Sequence, residues 1–203
     1  MSRVRVRASK HELRVQREAL QRFERYLPTL RLKQQQLQVE LRRVDGEVRG
    51  LEDDEARERQ ALGAWIELWS EPVSPGAYLA LAELCIGETN VAGVGLPTFE
   101  AVRWRRTPPP LETTPSWLDD ALEVLERLAT IRARRSVLAE QRSALADELR
   151  RTTQRVNLFE KVQIPAAREA LRTIRIALGD QQAAEVVRAK IAKAKSSERE
   201  RAT

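Results

Sequence analysis

The sequence predicts a mainly α fold: a long antiparallel two-helix coiled coil with a small β-hairpin or irregular insert between the helices. Three observations carry this prediction. Two long, highly charged stretches repeat apolar residues every seven positions, and a Gly- and Pro-rich segment over residues 71–115 separates them. The composition is lopsided for a compact globule, with aromatic residues at 4% and charged residues at 33%. Neither stretch has a globular body on which to bury its apolar stripe, so each is expected to bury it on the other.

The first helix is expected over residues 9–70, starting at Ser9-Lys10-His11-Glu12. This is a capping box, in which hydroxyl and carboxylate each satisfy an orphan backbone donor. One heptad series runs Leu13, Leu20, Leu27, Gln34, Leu41, Val48, Glu55, Leu62, and its companion runs Phe23, Leu30, Leu37, Val44, Leu51. A seam of this period winds into a left-handed supercoil. Pro28 removes a donor and disfavours helical geometry at Leu27, so a kink is expected near Tyr26 to Thr29, while Gly46 and Gly50 lower propensity on the outer face.

The insert, residues 71–115, holds Pro72, Pro75, Gly76, Gly87, Gly93, Gly95, Pro97 and the run Pro108-Pro109-Pro110. Tyr78 to Leu84 reads as a short helix. Ala92-Gly93-Val94-Gly95 offers the positive-φ residues of a hairpin turn between candidate strands Cys85 to Val91 and Leu96 to Arg103. A lone hairpin is marginal in water, so it is expected to pack on the coiled coil through Trp65, Trp69 and Trp104.

The second helix is expected over residues 116–195, after the hydroxyl and proline of Thr114-Pro115-Ser116. Its seam runs Val124, Ile131, Leu138, Leu145, Thr152, Phe159, Ala166, with Leu128, Arg135, Arg142, Leu149 and Val156 as companions. Ile164, Leu171, Ile174 and Leu178 continue a stripe beyond Pro165, which predicts a bend there and not an end. Antiparallel layers match when paired residue numbers sum to 186 or to 193. The first is favoured because it sets Gln34 opposite Thr152, and polar seam residues meet each other at lower cost than they meet Leu. Helices of roughly 60 and 75 residues would reach on the order of 90 to 110 Å at 1.5 Å per residue. Residues 1–8 and 196–203 read as basic, flexible tails.

The net charge of +6 invites a nucleic-acid reading, but its distribution opposes one. The two ends, residues 1–10 and 188–203, together carry +8 and the body about −2. One Cys and one His exclude a disulfide framework and a Cys/His metal cluster, which implies an intracellular, metal-free chain. No run of about 18 apolar residues would span a bilayer, and Met1 to Arg7 lacks the apolar core of a signal peptide. No phosphate-cradling glycine loop and no paired nucleophile and base occur, so the chain reads as non-enzymatic, with no cofactor. His11 belongs to a capping box, Cys85 reads as a small buried hydrophobe, and Glu52-Asp53-Asp54-Glu55 reads as a solvated helix face.

Three stretches resemble one family. Ser9-Lys10-His11-Glu12-Leu13, followed by Leu30-Arg31-Leu32-Lys33 and Leu37, is similar to the amino-terminal helix of the D subunit of V-type and archaeal-type rotary ATPases. Asn90-Val91-Ala92-Gly93-Val94 with Leu96-Pro97-Thr98-Phe99-Glu100 resembles that family's middle hairpin. Arg155-Val156-Asn157-Leu158-Phe159-Glu160 with Ile164-Pro165 resembles its carboxy-terminal signature. The three occur in family order over nearly the whole chain. Departures are Gln34-Gln35-Gln36, Tyr26-Leu27-Pro28 and the segment Gly179 to Glu185.

The resemblance implies a central rotor shaft of a V/A-type ATPase or ATP synthase, transmitting rotation between the nucleotide-hydrolysing ring and the ion-translocating membrane rotor. Its implied partners are the small F subunit of the central stalk, the A and B subunits of the ring, and a collar above the membrane rotor ring. No direct nucleotide or nucleic-acid contact is implied. The chain would sit in the cytoplasm, peripheral to the membrane through the complex. The seam would supply stiffness through Leu13, Leu20, Phe23, Leu27, Leu30, Leu37, Leu41, Val44, Val48, Leu51, Leu128, Ile131, Leu138, Leu145, Leu149, Val156 and Phe159. Asn90, Val91, Gly93, Val94, Pro97 and Phe99 would form a docking element, and Arg5, Arg7, Lys10, Arg188 and Lys190 are candidates to contact acidic surfaces of the head. The alternative reading is a basic helical-hairpin module for nucleic acid or an anionic surface, which needs a continuous basic face.

Overall fold

Helix α1, Lys10–Gly63, begins where Ser9 Oγ accepts the Glu12 amide at 3.1 Å, satisfying one of the donors left open in the first turn. Only this half of the capping box forms. The Glu12 carboxylate accepts from Gln16 Nε2 at 2.9 Å, and the Ser9 amide donates to the Arg7 carbonyl at 3.0 Å. Pro28 lies inside α1, which continues through it. The computed structural model describes residues 7–63, 75–110 and 114–201. The expected reach of the first helix to residue 70, the packing of Trp65 and Trp69, the contact at Arg5 and most of the 1–8 tail lie outside the described residues.

The insert is an antiparallel hairpin of β1, Leu79–Val91, and β2, Val94–Arg106, preceded by a 3-10 turn at Pro75–Ala77. Ala92 and Gly93 make the two-residue turn with φ of 51° and 80°, both left-handed, as a hairpin turn of matching twist requires. Asn90 Oδ1 accepts the Gly93 amide at 3.0 Å, which gives the Asn-x-x-Gly spacing its physical meaning.

The strands are longer than the sequence predicts, and the expected short helix at Tyr78 to Leu84 does not form: Leu79 onward is strand. The run Leu79-Ala80-Leu81-Ala82 has helical propensity, but so short a helix does not nucleate alone. Pairing with Val102 to Arg106 outweighs it, aided by a Glu83–Arg103 ion pair at 3.1 Å. Register shifts between Leu81 and Glu83 and between Cys85 and Ile86 mark two bulges, with Ala82 and Glu100 as the extra residues.

Helix α2, Leu118–Leu158, starts two residues later than predicted, after a turn closed by the Leu118 amide on the Pro115 carbonyl at 3.1 Å. The Thr114 hydroxyl donates to the Pro110 carbonyl at 2.8 Å. Asp119 and Asp120 occupy the first turn, where the helix dipole favours negative charge.

Between α2 and α3, Ile164–Arg201, lies a π-helical turn at Phe159–Gln163, in which the Ile164 amide reaches back to the Phe159 carbonyl. This turn has two sequence causes. Pro165 has no amide proton and its ring would crowd the Lys161 carbonyl in a regular α-turn. The apolar stripe also slips by one residue: Val156 and Phe159 predict seam positions at 163 and 166, yet the buried residues are Ile164 and Ala167, while Ala166 is exposed. One inserted residue would rotate the stripe by about 100° on a regular helix, and the wider π turn absorbs it. The seam assignment of Ala166 is thereby corrected. At the carboxy end α3 is helical to Arg201, with the Ser197 hydroxyl donating to the Ala194 carbonyl at 2.9 Å.

The chain divides into two compact units, residues 33–152, which carry the hairpin, and residues 1–32 with 153–203, which carry the termini. In the hairpin unit α1 and α2 run antiparallel, and their core is Leu37, Val44, Leu51, Leu138 and Leu145 with Leu96 of β2. A second cluster, Trp117, Leu118, Ala121 and Leu122, receives Tyr78 and Leu79 at the base of the hairpin.

Candidate functional site

In the hairpin unit the seam is closed from both sides. Leu37, Val44 and Leu145 are fully buried, Leu51, Leu128 and Leu138 nearly so, and Leu41, Val48, Ile131 and Leu149 are half-buried against them. Cross-helix ion pairs flank the seam. Lys33 meets Glu148 at 2.7 Å, Asp45 meets Arg142 at 2.7 Å, and Glu58 meets Arg127 at 3.3 Å. The last two pairs have numbers summing to 187 and 185, which places the helices in the 186 register. In the 193 register Glu58 would oppose Arg135, whose guanidinium instead binds Glu55.

Glu55 is the most buried charge of this seam, at 4% exposure, and it lies at a heptad position held elsewhere by Leu, Val and, once, Gln34. Its Oε1 accepts from Arg132 at 2.9 Å and forms an ion pair with Arg59 at 2.8 Å, and its Oε2 accepts from Arg135. The Arg132 hydrogen bond, the charges of Arg59 and Arg132 and the Arg135 hydrogen bond outweigh the opposing effect of burial. They hold the carboxyl below its ordinary range. The acidic run at 52–55 is therefore no uniform solvated face: Glu52 and Asp53 are exposed, whereas Glu55 points inward.

The hairpin lies on this core by its apolar turn. Val91, Ala92 and Val94 pack against the helical residues, and Leu96 is buried among them. Polar contacts to α2 fix it: Trp104 Nε1 donates to Thr130 Oγ1 at 3.2 Å, Arg106 donates to Glu126 at 2.7 and 2.9 Å, and the buried Gln141 amide donates to the Pro97 carbonyl. Trp104 thus packs as expected from its indole. Of the proposed docking residues, Val91, Val94, Pro97 and Phe99 are half-buried, and Asn90 and Gly93 are exposed at the turn. Leu96 and Gln141 are the contributors the sequence reading missed, although an uninterrupted Leu-Pro after a Gly turn is a signal for the first.

In the terminal unit the Phe23 and Phe159 rings pack with centroids 5.2 Å apart and planes tilted by 55°. Arg31 pairs with Glu160 at 2.9 Å and Arg168 with Glu24 at 2.8 Å. Val156, Ile164, Ala167, Leu171 and Ile174 are buried, while Leu13, Leu20, Leu27 and Leu30 are half-buried. The candidate head contacts Arg7, Lys10, Arg188 and Lys190 are exposed. Cys85 is half-buried, less than its reading as a core hydrophobe implied. Among the described residues no group of three or more His, Cys, Asp or Glu could hold a metal ion, and no helix is long and apolar enough to cross a membrane.

This arrangement defines a class: a paired-helix scaffold with a docked β-ribbon, whose ordered groups fix helices to one another. The family of ATP synthase D subunits matches residues 12–194. A Borreliella burgdorferi protein described as the D subunit of a V-type ATP synthase is 38% identical over 190 residues, 93% of each chain. Proteins of the same description from Chlamydia abortus and Chlamydia trachomatis serovar L2 are 32% and 33% identical, covering 96% and 94% of this chain and 95% of theirs. The chain belongs to the family of ATP synthase D subunits.

Proposed function

We propose that the chain is the central rotor shaft of a V/A-type rotary ATPase or ATP synthase, turning between a nucleotide-hydrolysing ring and an ion-translocating membrane rotor. The observation that carries this reading is the doubly closed seam, Leu37, Val44, Leu138 and Leu145 with ion pairs on its flanks, in a chain of this family. A shaft transmits torque by resisting relative movement of its helices, and interdigitated buried side chains resist it because interiors are close-packed. The chain contributes stiffness and asymmetry, and catalysis belongs to the A and B subunits of the ring. The relatives' description as parts of an ATP synthase supports association with further subunits at a membrane. The small F subunit and a collar protein are the stalk partners, the hairpin around Asn90 to Phe99 is a docking element, and the exposed Arg7, Lys10, Arg188 and Lys190 meet acidic surfaces of the head. The assembly lies on the cytoplasmic face.

Two measurements test this. The tagged chain should co-purify with a small F-like subunit and with nucleotide-binding ring subunits. Leu145→Lys, which buries an unpaired ammonium at a fully buried position, should lower the coupling between hydrolysis and ion transport while the ring retains hydrolysis. Full coupling in that variant, or a pull-down without ring subunits, refutes the shaft.

A further inference from the structure

We infer that Glu55, held by arginines from both helices, is the key that sets a single register between α1 and α2 in the hairpin unit. The apolar seam cannot set register alone, because it repeats. A slip of one heptad replaces Leu37 by Leu30 or Val44, and Leu138 by Leu145 or Ile131, so in these apolar layers Leu meets Leu or a near equivalent in each arrangement, and only polar layers such as Gln34 with Thr152 tell the registers apart.

Glu55 does not repeat. In the observed register its carboxylate lies between Arg132 and Arg135 of α2 and Arg59 one turn along α1. A slip to the 193 register sets Glu55 opposite Leu138, and a slip the other way sets it opposite Val124. The first slip puts Ala139 and Arg142 where Arg132 and Arg135 stand, so one of the two α2 guanidiniums is lost, and the second puts Leu125 and Leu128 there, so both are lost. Removing the partners of a buried charge is far more unfavourable than the intact pair is favourable, and this asymmetry makes such a group a register device and a poor source of stability. Exposed flank pairs such as Asp45–Arg142 are solvent-screened and add little. The hairpin does not substitute for the key, because its polar anchors Thr130, Glu126 and Gln141 all lie on α2. Register is a requirement distinct from any rotary role, so the inference stands independently of the proposed function.

The test uses the full chain with Cys85→Ser, spin labels at the exposed positions Gln38→Cys and Ser143→Cys, and pulsed dipolar distance measurement. With Glu55 intact one distance is expected. Glu55→Leu is expected to keep helicity and melting temperature at or above those of the parent while a second distance appears, from the axial step of about 10 Å that one heptad makes. Glu55→Gln, which keeps shape and an acceptor oxygen, is expected to show the second distance as a minority, and it decides the matter should the Leu variant not fold. A single unchanged distance in the folded variants overturns the inference, whatever happens to stability.

Discussion

Leu145→Ala probes the point where three elements share one core. Leu145 is fully buried and clusters with Leu37 of α1, Leu138 of its own helix and Leu96 of β2. Truncation removes three carbons, a transfer loss of about 2.4 kcal/mol at ~0.8 kcal/mol per carbon. A cavity contribution adds to this because walls supplied by two helices and a strand cannot all close on the void, so the expected loss is about 3 to 4 kcal/mol, inside the usual range for buried Leu→Ala changes. For a chain of this size that lowers Tm by roughly 6 to 16 °C.

The assay is urea unfolding of the whole chain followed by circular dichroism, with Leu158→Ala as the matched control. Leu158 is 45% exposed, and its truncation should change stability by about 0.5 kcal/mol or less. Leu96, at 1% exposure, completes a double-mutant cycle with Leu145. Because the two touch one cluster, the cycle should give a coupling of about 0.5 kcal/mol or more. Equal effects of Leu145→Ala and Leu158→Ala would refute the buried seam. Strict additivity of Leu96→Ala and Leu145→Ala would refute a hairpin seated on it.

Two further outcomes follow from the same geometry. Deleting the exposed Val162 in a Pro165→Ala background converts the π turn to α-helix and makes Val156, Phe159, Ile164, Ala167, Leu171 and Ile174 a continuous heptad seam. Its stability by urea unfolding should stay within about 1 kcal/mol of the Pro165→Ala parent, whereas deleting the exposed Asp147 from the regular part of α2 should prevent cooperative unfolding, because the seam beyond it turns by about 100°; equal damage from both deletions would refute the slip. Glu55→Gln should flatten the acid limb of stability. A carboxyl whose folded pKa is depressed stabilises fully above its ordinary value of 4.5, and this stabilisation is lost as pH falls through the lowered folded value. Urea midpoints measured downward from pH ~7 should therefore fall more steeply below 4.5 in the parent than in the variant.

Heptad spacing alone determined that Leu13 to Leu51 and Leu128 to Val156 make two stripes that need each other, and Ala92-Gly93 alone determined a turn between them. These are local rules, in which residue identity at i, i+3, i+4 and i+7 fixes a face and a positive φ favours few residues. The fold class was legible for that reason. Tertiary structure decided what depends on opposing elements. Leu79 to Leu84 is strand because Val102 to Arg106 supplies backbone partners that outweigh helical propensity. Glu55 turns inward because Arg132 and Arg135, about 80 residues further along the chain, supply donors there, which no spacing within α1 encodes. The slip at Phe159–Gln163 was visible in the sequence as Ile164 and Ala167 falling one place late, but only the paired helix shows that the backbone widens to keep one face. Register, likewise, belongs to the pair: an apolar repeat permits several alignments, and buried charge with its complement selects among them.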